Sequence, residues 1–294
     1  MMTEDQMMAL PPIMAASGNH ETTIRDLFPE RFTYEGTEPE FAAPLVLLGF
    51  FNRSGSTLLG EYLKGLRGFS GFAEHLNHSV VRNVSEKQGI ESFPDYFRAA
   101  QTRYSPNPKH IHGFKASWDQ LLMLKRARID QMYQGMKMVH IVRGDVVGQA
   151  ISLVIANQTL QWTSRQTPQV ETAPVFNAAR IGRAVQACLE EEVRMRMVTE
   201  LLEVPYLRVT YEGLDKNPAT VIARIGRFLG RNLSTWTPSA PRLERQANEL
   251  NAEWRERYMA LARDELLASD GVGTDPLLAA LSDSGAQGLS ETPE

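Results

Sequence analysis

The sequence contains one cysteine, Cys188, among its 294 residues, which excludes a disulfide bond within the chain and a zinc site built from several cysteines. It also lacks long hydrophobic runs, and the longest, residues 42–51, falls well short of the ~20 residues that a membrane-spanning helix needs. Near the start stand Glu4 and Asp5, where a secretory signal carries lysine or arginine. These absences favour a reducing, cytoplasmic location without integral membrane association.

An excess of positive charge is missing as well. The formal net charge is -4 and the isoelectric point is near 5.9. Such a balance gives no general attraction to nucleic acids or acidic membranes, so nucleic acid is not an expected partner. An anion that this protein binds must be held by a local arrangement of residues.

Composition divides the chain into three parts. Residues 1–43 mix methionine, proline and polar residues without a sustained period, which predicts a partly flexible N-terminal arm. Residues 269–294 are small, polar and acidic, which predicts a flexible tail. No repeat or long linker interrupts residues 44–268, so we expect a single domain there.

Apolar runs in this domain alternate with segments of helical period. The runs predict strands at residues 44–51, 136–142 and 206–211, with a weaker candidate at 111–117. Residues 147–155 and 176–203 place apolar side chains at helical spacing. Strands that alternate with helices predict a parallel sheet in a three-layer α/β/α fold, with ligands bound beyond the carboxyl ends of the strands.

A glycine-containing turn follows the first predicted strand and leads into a helix. Gly55 allows close approach of the backbone to a ligand, and Ser54, Ser56 and Thr57 add hydroxyl groups. Arg53 adds a fork of positive charge. With the N–H groups at the start of the helix, these residues predict a cradle for phosphate or sulfate, although a tight turn with a capped helix would use the same residue types.

The turn lacks the lysine of a nucleotide triphosphatase. In the pattern GxxxxGK[ST] that lysine reaches the outer phosphates, and here Ser56 takes its place. Asp145 is the one candidate for the magnesium-binding carboxylate of a P-loop kinase or phosphotransferase. A nucleotide-dependent kinase and a non-catalytic nucleotide-binding module are therefore the alternatives to an enzyme that binds a different phosphorylated donor.

Five motifs in one order resemble the trehalose 2-sulfotransferase-like family, a bacterial branch of the sulfotransferases. They lie at residues 53–59 (RSGSTLL), 142–153, 158–162, 207–214 and 243–258. The resemblance implies a P-loop-type sulfotransferase fold. It also implies transfer of a sulfuryl group from 3′-phosphoadenosine-5′-phosphosulfate (PAPS) to a hydroxyl, with adenosine 3′,5′-bisphosphate as product, no metal, and a homodimer.

The resemblance assigns the donor site residue by residue. The loop with Arg53 matches the part that binds the 5′-phosphosulfate and stabilises charge on the leaving phosphate. Arg143 and Ser152 match an arginine and a serine that bind the 3′-phosphate, although by residue type alone Arg143 could pair with Asp145 while Ser152 faces solvent. The residues assigned to the donor are Arg53, Ser54, Gly55, Ser56, Thr57, Leu58, Arg143, Ser152, Arg245 and Gln246.

The acceptor side of the site rests on the same resemblance. Glu74 matches the family's general base, and the neighbouring His75 is the alternative, since histidine serves this task in other sulfotransferases. The acceptor that the resemblance implies is a sugar, glycolipid or other small hydroxyl compound. Trehalose-binding members carry a second acidic residue where this chain has Gly71, which counts against trehalose as that acceptor. The residues assigned to the acceptor are Glu74, Lys115, Trp118 and Trp162.

Overall fold

A computed structural model describes residues 11–104, 107, 109–162, 173–238 and 249–268. One parallel sheet, in the order β2-β3-β1-β4-β5, is formed by β1 Leu45–Gly49, β2 Phe69–Ala73, β3 Ile111–Ala116, β4 Met136–Val142 and β5 Tyr206–Thr210. The helices are α1 Asn19–Leu27, α2 Ser56–Lys64, α3 His78–Gln88, α4 Phe93–Tyr104, α5 Trp118–Arg126, α6 Val146–Thr159, α7 Ala178–Leu201, α8 Tyr211–Lys216, α9 Pro218–Leu229 and α10 Glu249–Ala268. Short 3₁₀ helices cover Pro12–Ala15 and Ile129–Met132.

The central strand β1 explains why the sheet is covered on both faces. Its side chains alternate, so that Leu45 and Leu47 enter one hydrophobic cluster while Val46 and Leu48 enter another. The first cluster packs against α1, α4, α5 and α7, and the second against α2 and α9. A strand buried on both faces has a continuous apolar sequence, as β1 has. The predicted α/β fold with a parallel sheet is confirmed.

The strand order brings distant parts of the chain to one edge of the sheet. The chain runs from β1 to β2 and β3 on one side and then crosses to β4 and β5 on the other. Because all five strands are parallel, their carboxyl ends lie at the same edge, and the change of direction beside β1 opens a crevice there. Five residues, one at or near the end of each strand, lie at this edge: Arg53, Glu74, Lys115, Arg143 and Tyr211.

The described part of the predicted N-terminal arm packs against the domain. Ile24 on α1 is fully buried, and Phe28 and Phe32 are nearly so, all within the cluster on one face of the sheet. Glu21 is also buried and accepts a hydrogen bond of 2.9 Å from Arg126 Nε on α5 and another of 2.9 Å from Arg25 Nε. This segment therefore contributes to the core.

Replacing Glu21 with alanine is expected to lower the free energy of unfolding at pH 7 by about 2 kcal/mol, because Arg126 would lose its charged partner. Burial alone would raise the pKa of Glu21, but hydrogen bonds from Arg126 and Arg25 outweigh it and hold the pKa below its ordinary value. The wild-type contribution is thus present above the ordinary carboxyl pKa and is lost as the pH falls through the lowered one. In urea unfolding the difference should shrink in acid, whereas the exposed Glu30→Ala should change little; a difference that grew in acid would contradict this account.

The helix α7 carries the single cysteine. Cys188 is buried, and burial raises the pKa of its thiol to about 11, so the thiol stays protonated and unreactive at neutral pH. Among the described residues, no helix combines the length and the apolar character that crossing a membrane requires.

Candidate active site

The loop between β1 and α2 has the backbone shape of an anion cradle. Arg53 and Gly55 both have left-handed backbone angles, with φ of 67° and 90°. A Cβ atom at position 55 would lie 2.4 Å from the ring of Tyr211, so the loop requires glycine there. Within the described chain, no side chain caps the N-terminus of α2. The first N–H groups of this helix are therefore available to a ligand.

Two buried polar atoms at this edge have no hydrogen-bond partner among the described residues. They are Ser54 Oγ in the loop and Arg143 Nε after β4. Buried polar groups in folded proteins nearly always have a partner, because an unmade hydrogen bond costs about 1–3 kcal/mol. An oxygen-rich anion at this edge would supply the missing acceptors.

The Arg53 side chain crosses from the loop to α6. Its Nε donates to Ser152 Oγ at 2.9 Å, and its Nη1 donates to the backbone carbonyl of Trp162 at 2.7 Å. Gln149 Nε2 on α6 donates to the backbone carbonyl of Asn52 at 2.9 Å. The loop is thus fixed to α6, and Arg53 points to the serine that the sequence assigns to the 3′-phosphate.

A second arginine converges on the same place. The Arg143 guanidinium carbon lies 5.2 Å from the centre of the Tyr211 ring. Burial lowers the pKa of Arg53, and the positive charge of Arg143 lowers it further. Two like charges held close together repel each other, and a bound anion would relieve that repulsion.

Asp145 is engaged elsewhere and does not neutralise Arg143. Its Oδ1 accepts a hydrogen bond of 3.0 Å from the backbone N of Gly148, which caps α6, and lies 3.4 Å from Arg255 Nη2. Within the described residues Arg143 forms no ion pair, and Ser152 is only 8% exposed. The simple pairing of Arg143 with Asp145 is therefore absent from this part of the chain.

Glu212 and Tyr211 support the site, and sequence reasoning gave neither of them a role. The Glu212 carboxylate accepts hydrogen bonds from the backbone N atoms of Gly144 and Asp145, at 3.0 and 3.2 Å. Burial alone would raise the pKa of Glu212, but these N–H groups outweigh it and lower the pKa. Both residues belong to the motif at 207–214, and this motif was the feature of the sequence that could have indicated their role.

Glu74 and Lys115 meet beside the loop. Lys115 Nζ lies 3.1 Å from Thr57 Oγ1 on α2 and 3.4 Å from Glu74 Oε1 after β2. The side chain of Lys115 is 6% exposed and that of Glu74 is 56% exposed. Burial lowers the pKa of Lys115, and the charge of Glu74 opposes this shift. A cation and an open carboxylate therefore stand together at the mouth of the anion cradle.

His75, the alternative base, packs differently. Its ring stacks on His112 at 6.0 Å between centroids and meets the edge of Phe114 at 6.3 Å. Phe114 and Lys115 are neighbours in β3, so their side chains leave opposite faces of the sheet. Burial lowers the pKa of His75, and the nearby Lys64 lowers it further. The contacts thus place Glu74 with Lys115 and place His75 among aromatic rings.

Gly71 cannot accept an acidic side chain in this backbone. It has φ of 79°, within an irregular stretch of β2 where the register with β3 shifts. A Cβ atom at position 71 would lie 2.3 Å from the carbonyl oxygen of Gly113. The strand therefore requires glycine at position 71, and an acidic residue could not be introduced there without a change in the backbone of β2.

The remaining predicted residues lie farther from this centre or outside the described chain. The Trp118 indole N–H donates to Glu191 Oε1 on α7 at 3.1 Å, so this ring joins α5 to α7. Trp162 contributes its carbonyl to Arg53, and 37% of the residue is exposed. Arg245 and Gln246 lie outside the described residues. No group of three or more His, Cys, Asp or Glu side chains in the described ranges is placed to hold a metal ion.

Comparison with known proteins identifies relatives of the same kind. A trehalose 2-sulfotransferase of Mycobacterium tuberculosis (strain Erdman) is 28% identical, and the match covers 53% of this chain and 63% of that protein. A trehalose 2-sulfotransferase of Mycolicibacterium smegmatis is also 28% identical, over 70% of this chain and 91% of the relative. The solved sulfotransferase domain from the curacin biosynthetic pathway aligns with 84% of this chain and 98% of its own, at 14% identity and a TM-score of 0.46.

The family assignment rests on a longer match. The Stf0 sulphotransferase family model matches residues 46–261, which include β2 to β5, all but the first residue of β1, and all the residues gathered at the carboxyl edge of the sheet. The resemblance inferred from the five sequence motifs is thereby confirmed. This chain belongs to the Stf0 sulphotransferase family.

Proposed function

We propose that this protein transfers a sulfuryl group from PAPS to a hydroxyl group of a carbohydrate. The observation that carries the proposal is the convergence of Arg53, Arg143 and Ser152 beside a loop whose helix N-terminus has no side-chain cap. Two adjacent anion sites suit a donor that carries phosphate at both its 5′ and 3′ positions. Relatives named as trehalose 2-sulfotransferases support a sugar as the acceptor.

The residues divide between the two ends of such a donor. The N–H groups of residues 54–57 suit the 5′-phosphosulfate, and Arg143 with Ser152 suits the 3′-phosphate. Arg53 was assigned by resemblance to the 5′ end, but its guanidinium donates to Ser152 Oγ, so we assign it to the 3′-phosphate as well. Lys115 then supplies the positive charge beside the sulfuryl group.

The chemistry of the step asks for a proton acceptor and a stabilised leaving group. When bound, PAPS supplies the sulfuryl group and a bisphosphate leaving group. Lys115, held at Thr57, donates a hydrogen bond towards the oxygens on which negative charge grows. Glu74 takes the proton of the acceptor hydroxyl as that oxygen bonds to sulfur, while the bond from sulfur to the 5′-phosphate oxygen breaks and adenosine 3′,5′-bisphosphate leaves. The contact with Lys115 orients the Glu74 carboxylate towards the same point.

The contacts of Asp145 argue against a magnesium-dependent kinase. A P-loop kinase needs a lysine in the loop and a carboxylate that is free to hold magnesium. Ser56 stands in place of the lysine, and Asp145 is bonded to the helix backbone and close to Arg255. The cytoplasmic location and the homodimer stay predictions.

Calorimetric titration tests the donor assignment directly. The protein should bind adenosine 3′,5′-bisphosphate without added metal, and it should bind adenosine 5′-monophosphate much more weakly, because the monophosphate leaves Arg143 without an anion. Preference for ATP with magnesium would instead indicate a phosphotransferase. Equal affinity for the mono- and bisphosphate would contradict a separate 3′-phosphate site.

A further inference from the structure

The N-terminal segment reaches the part of the sheet edge where Glu74 lies, although it precedes the residues that match the family. Arg126 on α5 fixes it by donating to two of its backbone carbonyls and to the carboxylate of Glu21. Gly18 lies against Asp119 so closely that a Cβ atom there would be 1.8 Å from Oδ2 of that carboxylate. The start of α1 therefore has a fixed position beside the first turn of α5.

A pair of histidines joins α1 to the start of α3. His20 Nδ1 lies 2.9 Å from His78 Nδ1, and the backbone N–H of His78 donates to the same His20 atom at 3.2 Å. Because a backbone N–H can only donate, His20 Nδ1 must be an unprotonated acceptor. The hydrogen between the two rings then belongs to His78 Nδ1. This assignment leaves His20 protonated at Nε2 and His78 with a free lone pair at Nε2.

The outer nitrogens of this pair offer one donor and one acceptor. Both rings are half-buried, and neither Nε2 atom has a partner within the described chain. Burial lowers the pKa of His20, and the proximity of His78 lowers it further, which keeps the ring neutral at neutral pH. A ring nitrogen that donates beside one that accepts complements hydroxyl groups, since each hydroxyl both donates and accepts.

The pair stands next to the candidate base. His78 follows Glu74 by four residues, across a turn closed by a hydrogen bond of 3.2 Å from Asn77 N to the carbonyl of Glu74. Gln120 Nε2 fixes the same turn by donating to the carbonyl of Leu76 at 3.1 Å. The negative charges of Asp119 and, more weakly, Glu74 act on the His20 ring, where they oppose the lowering of its pKa by burial and by His78. The two histidines and the base thus border one region.

We infer that His20 and His78 bind hydroxyl groups of the carbohydrate acceptor, so that the N-terminal segment completes the acceptor site. The inference rests on the proposed sulfotransferase function. It also accounts for the backbone at Gly71, which excludes an acidic side chain on β2: the polar groups that face the acceptor come from α1 and α3 instead. Residue 20 lies outside the residues that match the family, 46–261, so the family assignment does not supply this contact.

Kinetics of single variants test the inference. The wild-type protein is assayed with PAPS and a panel of trehalose, maltose, sucrose and glucose. For the sugar with the highest turnover, His20→Phe and His78→Phe should each raise KM about tenfold or more, as expected when a buried hydrogen bond to substrate is lost. The turnover number should change far less, and affinity for adenosine 3′,5′-bisphosphate should stay unchanged. His110→Phe, before β3 and away from this edge, is the matched control.

The possible outcomes distinguish the role of the two histidines from the proposed sulfotransferase function. An unchanged KM in folded His20→Phe and His78→Phe proteins would overturn the role of the histidines and leave the sulfotransferase function standing. Loss of bisphosphate affinity together with activity would show a structural role and would also overturn it. Turnover of no sugar by a wild type that binds the bisphosphate would remove the carbohydrate acceptor, and this inference with it.

The ring nitrogens provide a readout that does not depend on turnover. Long-range ¹H–¹⁵N spectra of the histidine rings should show His20 protonated at Nε2 and His78 protonated at Nδ1. Addition of the best sugar in the presence of adenosine 3′,5′-bisphosphate should shift both Nε2 signals and leave that of His110 in place. Unshifted His20 and His78 signals at a saturating sugar concentration would contradict the inference.

Discussion

Replacing Glu74 with glutamine is expected to lower the turnover number by ~10²-fold or more, the scale of a lost general base. Glutamine keeps the shape of the side chain and can still accept the contact from Lys115, but it cannot take the proton of the acceptor hydroxyl. Affinity for adenosine 3′,5′-bisphosphate, measured by calorimetry, should stay the same because the donor residues are untouched. A steady-state assay with PAPS and the best sugar acceptor measures the turnover.

Two further variants make this result specific. Glu86→Gln removes an exposed carboxylate on α3 and should retain wild-type turnover. His75→Phe keeps an aromatic ring against His112 and Phe114 and should also retain most of the activity. Full activity of Glu74→Gln combined with loss of activity in His75→Phe would move the general base to the histidine.

Strand positions were predictable where the sequence carries an apolar run. The apolar runs at 44–51, 136–142 and 206–211 contain β1, β4 and β5. β1 is buried at every position and β4 at every position but Lys137, as expected of strands covered by helices, whereas β5 is mostly half-buried and Arg208 is exposed. The weaker candidate at 111–117 contains β3. The sequence analysis missed β2, Phe69–Ala73, because its glycine and serine interrupt the apolar pattern by which a strand is recognised.

The irregularity of β2 has a physical cause that local sequence does not reveal. Gly71 and Phe72 both have positive φ, and the register with β3 shifts between Gly71 and Ala73. Such a bulge is stabilised by the strand beside it, which is distant in sequence.

The sequence analysis also did not predict that the N-terminal segment packs on the domain. Ile24 and Phe28 are buried by contacts with residues distant in sequence, and the segment has no sustained helical pattern of apolar residues that would have indicated this burial.

Sequence reasoning named several residues that lie at the candidate site, but it did not name Tyr211 or Glu212 and could not give the contacts between side chains. The family resemblance assigns Arg53, Glu74, Lys115 and Arg143 to one site, and in the structure they lie at one edge of the sheet, because the carboxyl ends of parallel strands coincide. The group that a long side chain contacts could not be predicted in the same way. Arg53 reaches Ser152, which lies 99 positions later in the chain, and this contact depends on how α6 packs beside the loop. The roles of Arg245 and Gln246 stay predictions.

A substitution at Arg143 can distinguish the proposed 3′-phosphate site from the proposed 5′-phosphosulfate site. It follows β4, its Nε is buried with no partner in the described chain, and the ring of Tyr211 supports its guanidinium. Asp145, its nearest acidic neighbour in sequence, is bonded to the backbone of α6. This guanidinium interacts with the charge of Glu212 but forms no ion pair within the described residues, so its N–H groups can bind a phosphate.

Replacing Arg143 with alanine is expected to weaken binding of adenosine 3′,5′-bisphosphate by about 3 kcal/mol, roughly a hundredfold, because charge-assisted hydrogen bonds to the 3′-phosphate are lost. Binding of adenosine 5′-monophosphate should change much less, since it lacks that phosphate. Calorimetry with both ligands measures the difference, and Arg224→Ala, an exposed arginine on α9, is the control. An equal loss for both ligands would place Arg143 at the 5′-phosphate instead, and no loss for either would remove it from the donor site.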